Sequence, residues 1–107
     1  MTAEVVVVTC SHPAEGAEVL ARTLVELRLA ACVQILPALR SIYRWEGRIE
    51  MADEVRLDAK TTSACLEALI AAIRERHPYD VPEIVAMPLA GGNPAYLDWV
   101  RAQVGSP

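Results

Sequence analysis

Hydrophobic and polar positions along this chain repeat with changing periods, and each change of period marks a structural element. Glu4-Val-Val-Val-Val-Thr-Cys10 is apolar and β-branched at consecutive positions, which predicts a strand buried on both faces. From Ala14 to Leu29 the apolar residues Ala17, Leu20, Ala21, Leu24 and Leu27 recur at helical spacing, with Glu18, Arg22 and Glu26 on the opposite side. Pro13 suits the first turn of that helix. Residues 31–45 and 48–60 are rich in Val, Ile, Tyr and Trp and predict two extended arms of a long β-hairpin. Glu46-Gly47 separates the arms, its glycine supplying a positive φ, and uninterrupted pairing sets Trp45 opposite Arg48 and Val33 opposite Lys60.

Thr61, Thr62 and Ser63 offer N-caps for a second helix with Leu66, Leu69, Ile70 and Ile73 as its buried stripe. His77-Pro78 enforces its end, because a residue before proline is pushed out of the α region. Ile84 to Leu89 reads as a last apolar strand. Gly91-Gly92-Asn93-Pro94 then forms a turn, with Asn93 as cap of a short helix carrying Tyr96, Leu97, Trp99 and Val100.

The order β-α-β-β-α-β with a terminal helix predicts one α+β domain over residues 1–107. It is of ferredoxin-like arrangement, an antiparallel sheet with both long helices on one face. Two helices cover one side only, yet the first and fourth strands are apolar on both. Their second face is an exposed hydrophobic patch unless another chain covers it, so a homo-oligomer is expected. The five aromatics, Tyr43, Trp45, Tyr79, Tyr96 and Trp99, fall in the hairpin tip, the proline turn and the terminal helix, where they suit a subunit interface.

Composition narrows the partners. The net charge of −4 and the scattered lysines and arginines provide no footprint for nucleic acid or an anionic membrane. The apolar runs are too short to span a bilayer, and the start of the chain lacks the basic and apolar regions of a signal peptide. Three cysteines, Cys10, Cys32 and Cys65, are an odd number at wide spacing, which favours a reducing cytoplasm over a disulfide framework.

The chain has no nucleophile elbow, dinucleotide fingerprint or P-loop, so an enzyme of those classes is not expected. Asp80 and Glu83 read as a solvated turn pair, and Gly91-Gly92-Asn93 as a helix entry. Metal binding is the better candidate, since thiolate and imidazole select copper or zinc. No close Cys or His spacing supports it, so a site has to be assembled in space or between subunits, from Cys10, near the end of the first strand and followed by Ser11-His12, and His77 at the helix stop. Each also has a plainer reading: the cysteines as small core residues, and His77 as a cationic cap at the helix C-terminus.

A set of segments then resembles one family. Leu-Ala-Ala-Cys-Val at 29–33, Ser-Ile-Tyr-Arg-Trp-Glu-Gly at 41–47, Lys60-Thr61, His-Pro-Tyr-Asp-Val-Pro-Glu-Ile at 77–84 and Gly-Asn-Pro-x-Tyr-Leu-x-Trp at 92–99 are similar, in order and spacing, to the CutA divalent-cation tolerance family. The resemblance implies a ferredoxin-like homotrimer whose hairpins wrap the neighbouring subunit. It further implies a cytoplasmic, non-enzymatic protein tied to tolerance of copper and other divalent metals, weakly bound and not required for folding. Copper ligation in some members maps onto His77 and, one residue beyond the aligned Thr9, onto Cys10; Arg76 stands where a second histidine can occur. The family's likeness to PII signalling proteins offers an alternative function, a trimeric interaction protein that binds a small ligand at clefts between subunits.

Overall fold

A four-stranded antiparallel sheet of order β2-β3-β1-β4 organises the chain. The computed structural model describes residues 3–105. The elements are β1 (Val5–His12), α1 (Ala17–Glu26), β2 (Cys32–Trp45), β3 (Arg48–Thr62), α2 (Leu66–Arg76), β4 (Ile84–Pro88) and α3 (Pro94–Gln103). This is the expected ferredoxin-like α+β order.

Alternation along β1 sorts its side chains. Val8 and Cys10 point into a core closed by Leu20 and Leu24 of α1, Leu57 of β3 and Leu69 and Ile73 of α2. Each such aliphatic side chain, fully withdrawn from water, contributes about 1.5–3 kcal/mol. The other face of β1 is covered at its start by α3, where Val100 packs on Val5 and Ala31. Further along, that face stays open, with Val85 and Met87 of β4 about half exposed. Asn93 caps α3 as expected, its side-chain oxygen accepting from the Ala95 amide at 3.2 Å with Pro94 in the first turn.

Three local expectations are corrected. The hairpin register matches the uninterrupted pairing from Trp45↔Arg48 to Leu39↔Glu54, then slips by one, so that Val33 meets Ala59 and Cys32 meets Lys60. Pro37 and Ala38 together face the single residue Val55 in a β-bulge. Pro37 has no amide hydrogen to give the ladder, and Ala38 takes a left-handed φ of 60°. The second helix is not capped by Thr61, Thr62 or Ser63. The two threonines stay in β3, while Cys65 occupies the cap position with no side-chain hydrogen bond. Finally, α1 starts at Ala17 after Gly16, whose φ of 85° makes the turn, and not at Pro13. At the hairpin tip Glu46 and Gly47 both have positive φ, 49° and 78°, the combination that matches the twist of the flanking strands.

Candidate functional site

The end of β1 and the helix stop after α2 meet on one backbone atom, the carbonyl oxygen of Ser11. His77 leaves the helix with an extended ψ of 140°, as the following proline requires, and so swings its ring back toward β1. Its Nε2 lies 2.7 Å from the Ser11 carbonyl. Its Nδ1 accepts the Tyr79 amide at 3.1 Å. A nitrogen that accepts an amide hydrogen bond carries no proton, so Nε2 carries the hydrogen and donates it to Ser11. The ring is therefore neutral, and burial, the largest influence on it, pushes its pKa below the ordinary 6.5. The expected cationic helix cap is corrected on this point: His77 is 8% exposed and ends α2 as a neutral, doubly hydrogen-bonded side chain.

Cys10 reaches the same oxygen, its Sγ donating to Ser11 at 3.3 Å. The two candidate metal ligands thus come together within one chain. Both lean on one acceptor: the two ring nitrogens of His77 are engaged, and Cys10 is held as a thiol rather than the thiolate that binds metal. Burial pushes the Cys10 thiol up to about 12, with the charges of Glu83 and Glu54 acting in the same direction. Its side chain belongs to the helix-side core, whereas the neighbouring Thr9 faces the opposite side of the sheet beside Val85 and Asp58.

Two further residues complete this corner. His12 stacks edge-on against His77, ring centroids 4.7 Å apart, and its Nδ1 lies 2.6 Å from the Pro13 carbonyl. Tyr79 packs its ring on His77 at 4.8 Å and donates its hydroxyl to Glu54 Oε2 at 3.0 Å. Burial of the phenol and this bond to a carboxylate raise the Tyr79 pKa to about 12. Glu54 is 6% exposed. It is the last β3 residue, counted from the hairpin tip, that keeps the uninterrupted register, facing Leu39 just before the bulge.

Above Glu54 a cleft of about 600 Å³ opens between the distal hairpin and the proline turn, walled by Tyr43, Trp45, Tyr79, Asp80 and Glu83. Three of the expected interface aromatics, Tyr43, Trp45 and Tyr79, line it, and all are partly exposed. Tyr96 and Trp99 lie elsewhere, paired on α3 with centroids 5.7 Å apart. Among the described residues no three His, Cys, Asp or Glu side chains converge to hold a metal ion. Cys32 and Cys65 are half-buried, and all three cysteines are free thiols. Sequence reasoning placed His12 beside Cys10 without making it a site residue, and missed Glu54. The Ser11-His12 pair at a strand end carries a weak signal, whereas Glu54 has none, being one of many acidic strand residues.

Known proteins resemble the chain over nearly its whole length. A family described as CutA1 divalent ion tolerance protein matches residues 4–103. A divalent-cation tolerance protein CutA from Thermus thermophilus is 49% identical over 102 residues, spanning 95% of this chain and 98% of its own. The Pectobacterium atrosepticum protein of the same name is 41% identical over 102 residues, 94% of this chain and 93% of its own. The crystal structure of CutA1 from Oryza sativa superposes with a TM-score of 0.94 at 37% identity, covering 99% of this chain and 98% of that one.

Proposed function

The chain belongs to the CutA1 divalent ion tolerance family, and from that premise we propose that it serves divalent-cation tolerance as a homotrimer that binds metal ions without catalysing a reaction. The observation that carries the metal reading is the meeting of Cys10 and His77 at the Ser11 carbonyl, with His12 at van der Waals range. A thiol and imidazole are the donors that favour copper and zinc. A metal has to displace the Ser11 hydrogen bonds and take the thiol proton, so binding is weak and strengthens as pH rises. His77→Ala combined with Cys10→Ser is expected to weaken copper binding measured by calorimetry; unchanged affinity overturns the assignment.

Trimer formation is supported by the apolar open face of β1 and β4 and by the exposed Ile42, Trp45, Ile49 and Met51 of the distal hairpin. The three free thiols support a cytoplasmic location. A second reading, a PII-like interaction protein that binds a small ligand at subunit clefts, is favoured by the cleft beside Trp45 and Tyr79. A thermal-shift screen of small cationic, neutral and anionic metabolites tests it: a ligand of the native trimer raises the melting temperature, and a flat screen excludes the reading.

A further inference from the structure

Resting on the small-ligand reading above, we propose that the cleft over Glu54 binds a small organic cation, a guanidinium or primary ammonium group held by carboxylates and aromatic faces. Glu54 is the reason. It is 6% exposed and has one neutral partner, the Tyr79 hydroxyl on Oε2. Its Oε1 makes no hydrogen bond with the described residues and stays open to the cleft. Along the hairpin Arg40 pairs with Asp53 at 2.9 Å and Arg56 with Asp58 at 3.0 Å, and neither these nor Arg44 and Arg48 line the cleft. Among the described residues the chain thus places an open carboxylate oxygen at the floor of a cleft that no basic side chain lines.

The walls define the class of ligand. Asp80 and Glu83 add two carboxylates at the rim, and no lysine, arginine or histidine lines the cleft. Tyr43, Trp45 and Tyr79 supply three aromatic faces, which attract a desolvated organic cation through the ring quadrupole. A bare metal ion fits the walls poorly, because no three acidic, histidine or cysteine side chains converge there within the described residues. A planar guanidinium does not need a cage: it donates to Glu54 from one edge while its carbon stem lies on Trp45. The cleft volume of about 600 Å³ lies within the range that small-molecule sites occupy, roughly 300–1,000 Å³.

Butylguanidinium chloride and its uncharged isostere butylurea make the test, titrated into the native oligomer with calorimetry and tryptophan fluorescence as readouts. Butylguanidinium is expected to saturate, perturb the Trp45 emission and lose affinity by about tenfold or more in Glu54→Gln, the scale of one charge-assisted hydrogen bond. Butylurea is expected to give no saturable signal. Should Glu54→Gln not fold, Glu83→Gln and Asp80→Asn, both at exposed positions lining the cleft, each weaken binding if the proposal holds. Absence of saturation, equal binding of butylurea, or unchanged affinity in all folded variants overturns it. So does a Glu54→Gln protein that falls apart into smaller oligomers while the wild type ignores butylguanidinium, because the cation on Glu54 is then a side chain of a second copy. A screen that finds only neutral or anionic ligands removes the organic cation and leaves the small-ligand reading standing.

Discussion

His77 holds its place through two hydrogen bonds of opposite sense, and this makes it sensitive to acid. Donation to Ser11 and acceptance from the Tyr79 amide require the neutral ring, and a proton on Nδ1 breaks the second bond. Burial lowers its pKa; the Ser11 bond and the charge of Glu54 oppose that shift, and His12 adds to it. The folded ring therefore takes a proton less readily than the unfolded one. Its contribution to stability is complete above about pH 6.5 and is lost as pH falls from there through the lowered folded pKa. Urea midpoints of the wild type are expected to drop between pH 7.5 and pH 5, while His77→Asn is less stable at neutral pH and flatter across that window. Equal pH slopes in the two proteins refute the assignment. The histidine itself was legible, because the proline behind it dictates where it leaves the helix. Its acceptor was not, since a backbone carbonyl has no signature in sequence and only the fold brings Ser11 to it.

The elements show where local signals lose to tertiary context. Thr61 reads as a helix cap, yet it continues β3 and donates its hydroxyl to the Leu29 carbonyl at 2.7 Å, tying the strand to the connection after α1. The ladder with β1, which pairs Val6 with Thr61, keeps it extended. Capping propensity is worth about 1 kcal/mol and yields to that longer-range pairing. The fully buried Thr61→Val then leaves the Leu29 carbonyl without this donor and is expected to cost about 1–2 kcal/mol in chemical denaturation. Ser63→Ala, at the exposed site, is expected to cost almost nothing; the reverse ranking restores the cap. In the same way the hairpin and its tip were plain from β-branched runs around Glu46-Gly47, while the bulge was not. Pro37 in a strand hints at an irregularity without saying on which side of it the register slips. Leu39 opposite Glu54 follows from the register read at the tip, but nothing in the sequence shows that the proline turn brings the Tyr79 hydroxyl onto Glu54 to make the floor of the cleft.

At the scale of the whole molecule the surface is unfinished for a lone chain. The molecule is 47 Å long and only 26 by 22 Å across, its hairpin carrying apolar side chains outward. Strand β4 adds Val85 and Met87, respectively 50% and 49% exposed, on the face that α3 leaves uncovered. This much followed from the doubly apolar strands, because a sheet with helices on one side must bury its other side elsewhere. Residues on the open face keep one chain from sticking to any surface at random: Arg56 pairs with Asp58, and Lys60 donates to Gln34. A partner that fits this face has to match both its apolar strip and its polar row, which is what the proposed trimer asks of a second copy of the same chain. Met87→Lys places a charge in the apolar strip without touching the core. Light scattering at micromolar concentration is expected to return the mass of three chains of 11.7 kDa for the wild type and a smaller species for Met87→Lys. The circular dichroism of the variant should stay that of a folded protein. A monomeric wild type refutes self-association through this face, and an intact trimer in Met87→Lys moves the contact away from β4 and onto the hairpin alone.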